Sequence, residues 1–196
     1  MSNFDSLQLK WDRRHADPQN LPKAADVLLQ NQHLLPSHGK ALDLACGLGG
    51  NALLLARAGL EVSAWDLSPV AIERLQAFAD EQGLVSLRAE VRDVEGDPPA
   101  VDAFDVIAVS YFLNRSLIPA LIASLRQGGL ILYQTFTRIA LTEQGPSNPD
   151  YRLGDNELLD LFSPLAIRFY REENRLGDPS QGVRDVAMLV GERTRV

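Results

Sequence analysis

The chain is expected to fold as an α/β protein whose seven-stranded, mostly parallel sheet closes in an antiparallel hairpin. Three observations support this. Short apolar runs suited to buried strands alternate with helix-like stretches from about residue 22 to residue 136. The first two of these strands each carry an acid near the end, Asp43 and Asp66, on either side of a small-residue turn. The last two runs, 166–172 and 183–192, follow one another with only turn-forming residues between them, as a terminal hairpin would.

Residues 1–20 are polar and are expected to be irregular, with Trp11, Arg13, Arg14 and His15 standing out. Pro22 is expected to open a helix to about Leu35, ended by Pro36 to Gly39. Ala41 to Leu44 is the first buried strand, Ala45 to Gly50 the turn, and Asn51 to Ala58 an apolar helix with Gly59 as its cap. Glu61 to Trp65 is the second strand. Ser68-Pro69 provides an N-cap and a proline at N1 for a helix reaching Gln82. Strands follow at Ser86 to Val91 and Phe104 to Ser110, then a helix at Ser116 to Arg126 containing Pro119, and a strand at Leu130 to Phe136. Residues 137–154 contain Gly145-Pro146 and Asn148-Pro149 and are a candidate lid loop, since loops of this length are often functional. Asp155 is expected to cap a helix over Asn156 to Phe162.

The Ala41 to Ser68 stretch implies a ligand. Glycines at 47 and 49 let the backbone turn sharply and let a ligand lie against bare peptide, while the following helix presents free N–H groups. Asp66, at the end of the next strand, is placed to accept both hydroxyls of a ribose. A dinucleotide fingerprint would be G-x-G-x-x-G; here the turn is A-C-G-L-G-G-N, with Asn51 and Ala52 where that spacing would continue. An acid at 43 sits badly beside a pyrophosphate and well beside an ammonium group. The stretch therefore favours an adenosine cofactor with an amino-acid end.

At these residues the chain resembles the class I S-adenosylmethionine-dependent methyltransferases, whose first motif is (D/E)-x-G-x-G-x-G. Residues 43–49, D-L-A-C-G-L-G, match it with Ala45 in place of the first glycine. The resemblance implies a Rossmann-like sheet and S-adenosyl-L-methionine as cofactor. Asp43, Ala45, Cys46, Gly47 and Gly49 would hold its methionine end, Asp66 and Leu67 its ribose, and Asp93 and Val94 its adenine. Ser110 would lie beside the methyl group. Trp11-Asp12-Arg13-Arg14-His15 is similar to a W-D-x-R-(Y/F) stretch that helps close the cofactor site in such enzymes, with His15 at the aromatic position. That likeness makes residues 1–20 an N-terminal lid segment and Arg14 a contact for the cofactor carboxylate.

The segment G-P-S-N-P-D-Y-R-L-G-D-N-E-L-L-D-L-F, residues 145–162, is similar to one in the tellurite-resistance and thiopurine-type methyltransferase group. That resemblance implies small soft acceptors, either oxyanions of tellurium or selenium or thiols. For an anion the candidate contacts are Arg14, Arg115, Arg138 and Arg152, with Tyr111 and Tyr151 walling the pocket. Tyr111 is the candidate nearest the transferred methyl. Soft anions need no general base, so the absence of an obvious one fits.

Composition narrows the partners. At 196 residues, 45% hydrophobic and 23% charged, the chain is expected to form a single globular domain. A net charge of −7, with lysine only at 10, 23 and 40, argues against a nucleic-acid substrate. The exit of the fourth strand, Ser110-Tyr111-Phe112-Leu113, also lacks the Asn/Asp-Pro-Pro-Tyr/Phe motif of base-amino methyltransferases. No apolar run is long enough to span a membrane and no signal peptide is evident, so a cytoplasmic monomer or homodimer acting on a small molecule is expected. One cysteine leaves no disulfide framework and no cysteine-rich metal site. Two rival functions remain open, a non-catalytic S-adenosylmethionine-binding module and a nicotinamide-dependent oxidoreductase.

Overall fold

A computed structural model describes residues 3–17 and 19–194 of the chain. Seven strands form one sheet: β1 (Lys40–Leu44), β2 (Glu61–Asp66), β3 (Leu87–Val91), β4 (Phe104–Ser110), β5 (Leu125–Phe136), β6 (Ala166–Glu172) and β7 (Val186–Glu192). Their order is β3-β2-β1-β4-β5-β7-β6, and only the pairings of β7 with β5 and β6 are antiparallel. The expected mostly parallel sheet with a terminal hairpin is what forms.

Alternation within the strands explains why both faces are covered. Ala41, Val62, Ala64, Val106 and Ala108 face one layer, while Leu42, Leu44, Trp65, Ile107 and Val109 face the other. The first layer packs on α3 (Gly50–Arg57) and α4 (Pro69–Glu81) through Leu53, Leu55, Leu75 and Ala79. The second packs on α5 (Ile118–Ser124) and α6 (Glu157–Leu161) through Ile118, Leu121 and Leu158. In register, Leu44 pairs with Trp65 on one side and Val109 on the other. The carboxyl ends of β1, β2 and β4 therefore finish side by side, with the order reversing at β1 as in ligand-binding open sheets.

Several local expectations are corrected. Residues Asn3–His15 form a helix, α1, where an irregular segment was expected. Its exposed Leu7 and Leu9 show why the pattern is faint: the helix has little apolar face, and it is held by polar contacts described below. The helix expected from Pro22 shrinks to α2 (Asp26–Gln30) and a 3₁₀ turn over Gln32–Leu34. Residue 25 stays extended because the N–H groups of Ala25 and Val27 are claimed by side chains elsewhere in the fold. Asp155 does not cap α6. Asn156 precedes that helix at φ 60° without a side-chain cap, the Glu157 carboxylate accepts from the Gly154 N–H, and Asp155 accepts from Asn174. The helix expected over Ser116 to Arg126 ends at Ser124, and Gly128-Gly129 falls within β5 as an irregularity, where pairing jumps from Phe104–Leu125 to Val106–Leu130.

Candidate functional site

The turn between β1 and α3 is built on left-handed backbone. Ala45, Gly47 and Gly49 have φ of 54°, 52° and 74°. For alanine this conformation costs about 1–2 kcal/mol, partly offset by the lower unfolded-state entropy of alanine against glycine. Ala45→Gly is therefore expected to stabilise the fold by about 0.5–1 kcal/mol, measured as a raised Tm, at the position where the resembled motif carries glycine. Close approach matters more at Gly50. A Cβ there would lie 2.2 Å from the backbone carbonyl of Lys23, so the extended 19–25 segment crosses directly over the turn.

Asp43 is fully buried. Its carboxylate accepts from the Ala52 N–H at 2.9 Å and from Asn51 Nδ2 at 3.4 Å, which clamps the start of α3 to β1. Burial pushes its pKa up to about 8, against hydrogen bonds that pull it down. The group thus binds a proton in the folded state that it releases when unfolded. Its contribution to stability is full below about pH 4 and is lost as pH rises toward 8, at roughly 1.4 kcal/mol per pH unit. Asp43→Asn should flatten that part of the profile, measured as the slope of unfolding free energy between pH 5 and 8; an unchanged slope would exclude Asp43 as its source. Lacking exposed surface and holding a proton in the folded state, Asp43 can act on a ligand only through the turn it organises. Burial also pushes the Cys46 thiol far up, so that side chain is a packing group rather than a nucleophile.

Asp66 ends β2 with both oxygens engaged, Oδ2 by the Gly47 N–H at 2.8 Å and Oδ1 by the Ser68 N–H at 2.9 Å. Each oxygen keeps a lone pair, and the next residue, Leu67, is half-buried at the mouth. Ser68 caps α4 as expected, accepting from the Ala71 N–H, and its hydroxyl donates to Asp12 Oδ1 at 2.5 Å. That bond brings α1 onto the site. Arg74 of α4 holds the end of α1 by donating to the carbonyls of His15, Asp17 and Asn20. His15 stacks on Trp11 with ring centroids 5.9 Å apart, and a Cβ at Gly47 would lie 3.2 Å from its Cε1. The imidazole therefore lies over the glycine turn, and burial holds its pKa below the ordinary value. Arg14, the expected carboxylate contact, is exposed with its guanidinium 5.6 Å from the Trp11 ring.

At the exit of β3, where the adenine contacts were expected, Asp93 accepts from the Glu95 N–H and is half-buried, while Val94 is buried in the second core layer. Arg92 lies 3.8 Å above the Trp65 ring, a cation–π contact that fixes this strand exit. At the end of β4, Ser110 Oγ accepts from Asn51 Nδ2 at 3.0 Å. Tyr111 follows at φ 57°, its hydroxyl accepting from Gln134 Nε2 at 2.9 Å and its ring tilted 5.0 Å from Phe136. Sparsely populated backbone at such a position often marks function.

The arginines divide. Arg115 pairs with Glu157 through two nitrogens and also donates to the carbonyls of Asp150 and Arg152. Arg152 is buried and donates to the carbonyls of Pro146, Thr137 and Gln144. Both thus hold the 137–154 loop in place where an anion contact was expected. Asp185 adds to this by accepting from Leu141 and Thr142. Arg138 is exposed, reaches the Pro149 carbonyl at 3.3 Å, and lines a hollow of about 600 Å³ with Asp155, Asn174 and Arg175. Tyr151 is 57% exposed.

Asn51, Gln134, Asp26 and Asp12 were not singled out from the sequence. Asn51 sits where a dinucleotide fingerprint would continue, and an asparagine in the first turn of an otherwise apolar helix was the available signal. Taken together, a bare-backbone turn, a ribose-type carboxylate with free lone pairs and a covering helix fit S-adenosylmethionine. Among the described residues there is no cluster of metal-ligating side chains and no helix long and apolar enough to cross a membrane.

Comparison with known proteins agrees with this geometry. The family described as tellurite resistance protein TehB matches residues 16–173. A probable S-adenosyl-L-methionine-dependent methyltransferase TehB of Haemophilus influenzae is 30% identical over 142 residues, 68% of this chain and 48% of the relative. A ribosomal RNA small subunit methyltransferase C of Idiomarina loihiensis is 35% identical over 106 residues, 54% of this chain and 29% of the relative. The chain spans about half the length, or less, of these curated relatives. Among solved structures, TehB from Haemophilus influenzae superposes with a TM-score of 0.70 at 22% identity, covering 94% of this chain and 67% of that one. A protein described with the conversion of a disulfide bond into a thioacetal group during echinomycin biosynthesis gives 0.70 at 23% identity, covering 98% and 93%.

Proposed function

Since the chain belongs to the tellurite resistance protein TehB family and carries the class I S-adenosylmethionine-dependent methyltransferase fold, we propose that it methylates a small soft acceptor, a tellurium or selenium oxyanion or a thiol. The observation that carries this reading is the Asp66 carboxylate, held by Gly47 and Ser68 at the mouth of a bare-backbone turn. In this reading Asp66 and Leu67 take the ribose, and the 45–49 turn, organised by Asp43, takes the methionine end. Asp93 and Val94 take the adenine, and Arg14 the carboxylate. Bound there, the cofactor supplies a methyl group on a sulfonium, a displacement with a neutral leaving group.

The protein's own task is then to align and to exclude water. His15 and α1 cover the turn, while Ser110 and Tyr111 face the acceptor side, with Arg138 and Tyr151 further out on the loop. Orientation of this kind supplies up to roughly 7–11 kcal/mol in ideal intramolecular models. The test is parallel calorimetric titration with S-adenosylmethionine, S-adenosylhomocysteine and reduced nicotinamide dinucleotide. Micromolar binding of the first two alone, about −8 kcal/mol, supports the reading. Binding of the nicotinamide alone replaces it with an oxidoreductase, and cofactor binding with no turnover of any acceptor leaves a binding module.

A further inference from the structure

Two side chains from distant parts of the chain pin the segment that enters α2. Asn51 Oδ1 accepts the Ala25 N–H at 2.9 Å, and Gln134 Oε1 accepts the Val27 N–H at 2.8 Å. Asp26 lies between these two anchors, so its position is set by α3 and β5 rather than by its own short helix. The same Gln134 amide donates through Nε2 to the Tyr111 hydroxyl, so one buried amide spans Val27 and Tyr111. Ser110, the register partner of Gln134, is bonded to Asn51, the other anchor. Asp26 is thereby held near the carboxyl ends of β4 and β5, where Ser110 and Gln134 lie. After burial, its charge is the next influence holding the Tyr111 phenol protonated, which places the two groups within electrostatic reach. The half-buried Asp26 carboxylate has no hydrogen bond or ion pair among the described residues.

We infer that Asp26 is the acceptor-recognising carboxylate of this chain, taking the proton of a neutral thiol and selecting such an acceptor over an oxyanion. The inference rests on the methyltransferase reading and deepens it. An unpaired carboxylate accepts a hydrogen bond from S–H and repels an anion brought into the same space. Two of the guanidinium groups that could have reversed this preference are used elsewhere, Arg115 on Glu157 and Arg152 on three carbonyls, and Arg138 is exposed and turned to the Pro149 carbonyl. In the transfer, a lone pair of the thiol sulfur forms the new bond to the methyl carbon. The S–H pair stays on that sulfur, the proton passes to the Asp26 carboxylate, and the pair of the broken bond remains on the donor sulfur as a neutral thioether. Asp26 then returns the proton to water.

The experiment compares wild type with Asp26→Asn and Asp26→Glu in three assays. These are S-adenosylhomocysteine affinity, binding of benzenethiol and tellurite to the S-adenosylhomocysteine-saturated protein by calorimetry, and methyl transfer to aryl and alkyl thiols, tellurite and selenite. The expected result is S-adenosylhomocysteine affinity and Tm of both variants close to wild type, benzenethiol binding at least five-fold weaker in Asp26→Asn, and tellurite binding stronger. Thiol kcat/KM should fall by about 10²-fold in Asp26→Asn and recover in part in Asp26→Glu. Wild-type thiol rates in Asp26→Asn, a wild type that methylates oxyanions but no thiol, or one that methylates no probe while binding cofactor, would each overturn the inference. Failure of wild type to bind S-adenosylhomocysteine would instead sink the methyltransferase reading beneath it.

Discussion

Replacing Asp66 with alanine is expected to weaken S-adenosylhomocysteine binding by at least 100-fold and to lower the Tm at the same time. The two effects share one cause. The Asp66 carboxylate accepts two backbone N–H groups, from Gly47 in the turn and from Ser68 at the cap of α4, and such charge-assisted bonds contribute about 1.5–3 kcal/mol each. Without them the turn keeps only the Cys46 N–H bond to the Trp65 carbonyl as its tie to β2, and the proposed ribose acceptor is gone. Asp66→Asn separates the two contributions. It keeps one acceptor but turns an amide N–H toward a backbone donor, so it should lose most of the affinity while keeping more of the stability. Calorimetry and thermal unfolding on the same preparations check this, and unchanged affinity in Asp66→Ala would remove the basis for the proposed cofactor.

Asn51→Leu is expected to cost about 3–5 kcal/mol of stability. Asn51 is buried and serves three partners, accepting from the Ala25 N–H and donating to Ser110 Oγ and to Asp43. Leucine matches its size and leaves the Ala25 N–H and the buried Asp43 carboxyl short of a partner, each orphaned group costing about 1–3 kcal/mol. Chemical denaturation measures the loss. Hydrogen exchange should show the Ala25 amide deprotected before the global unfolding limit, because the 19–25 segment would lose one of its two anchors. Turnover should suffer more than cofactor affinity, since Asp66 and the Gly47 turn are left in place. Equal stability of Asn51→Leu and wild type would show that the network has been overvalued.

The strands and the cofactor turn were legible because the physics that makes them is local. Buried strands need apolar runs such as FDVIAVS, a left-handed turn needs small residues such as those at 45–49, and Ser68-Pro69 writes its own cap. The same locality hides α1. Its polar sequence shows no apolar stripe, and what holds it, Arg74 on three carbonyls and Ser68 on Asp12, lies more than fifty residues away in the chain. The expected long helix after Pro22 failed for a related reason: Asn51 and Gln134 take the N–H groups of Ala25 and Val27, so the chain stays extended where propensity favoured a helix.

The arginines show the boundary most plainly. A positively charged side chain beside a family-like loop suggests an anion contact from sequence, yet whether its N–H groups are free depends on what the fold brings to them. Arg115 found Glu157 and Arg152 found three carbonyls, while Asp26, unremarkable in sequence, has no hydrogen bond or ion pair among the described residues. By itself the sequence determined the sheet, its closing hairpin and the acid-flanked turn, because period, small residues and caps act over a few positions. The tertiary structure alone decided which polar groups are consumed and which remain for a ligand, because hydrogen-bond partners are assigned by contacts between residues far apart in the chain.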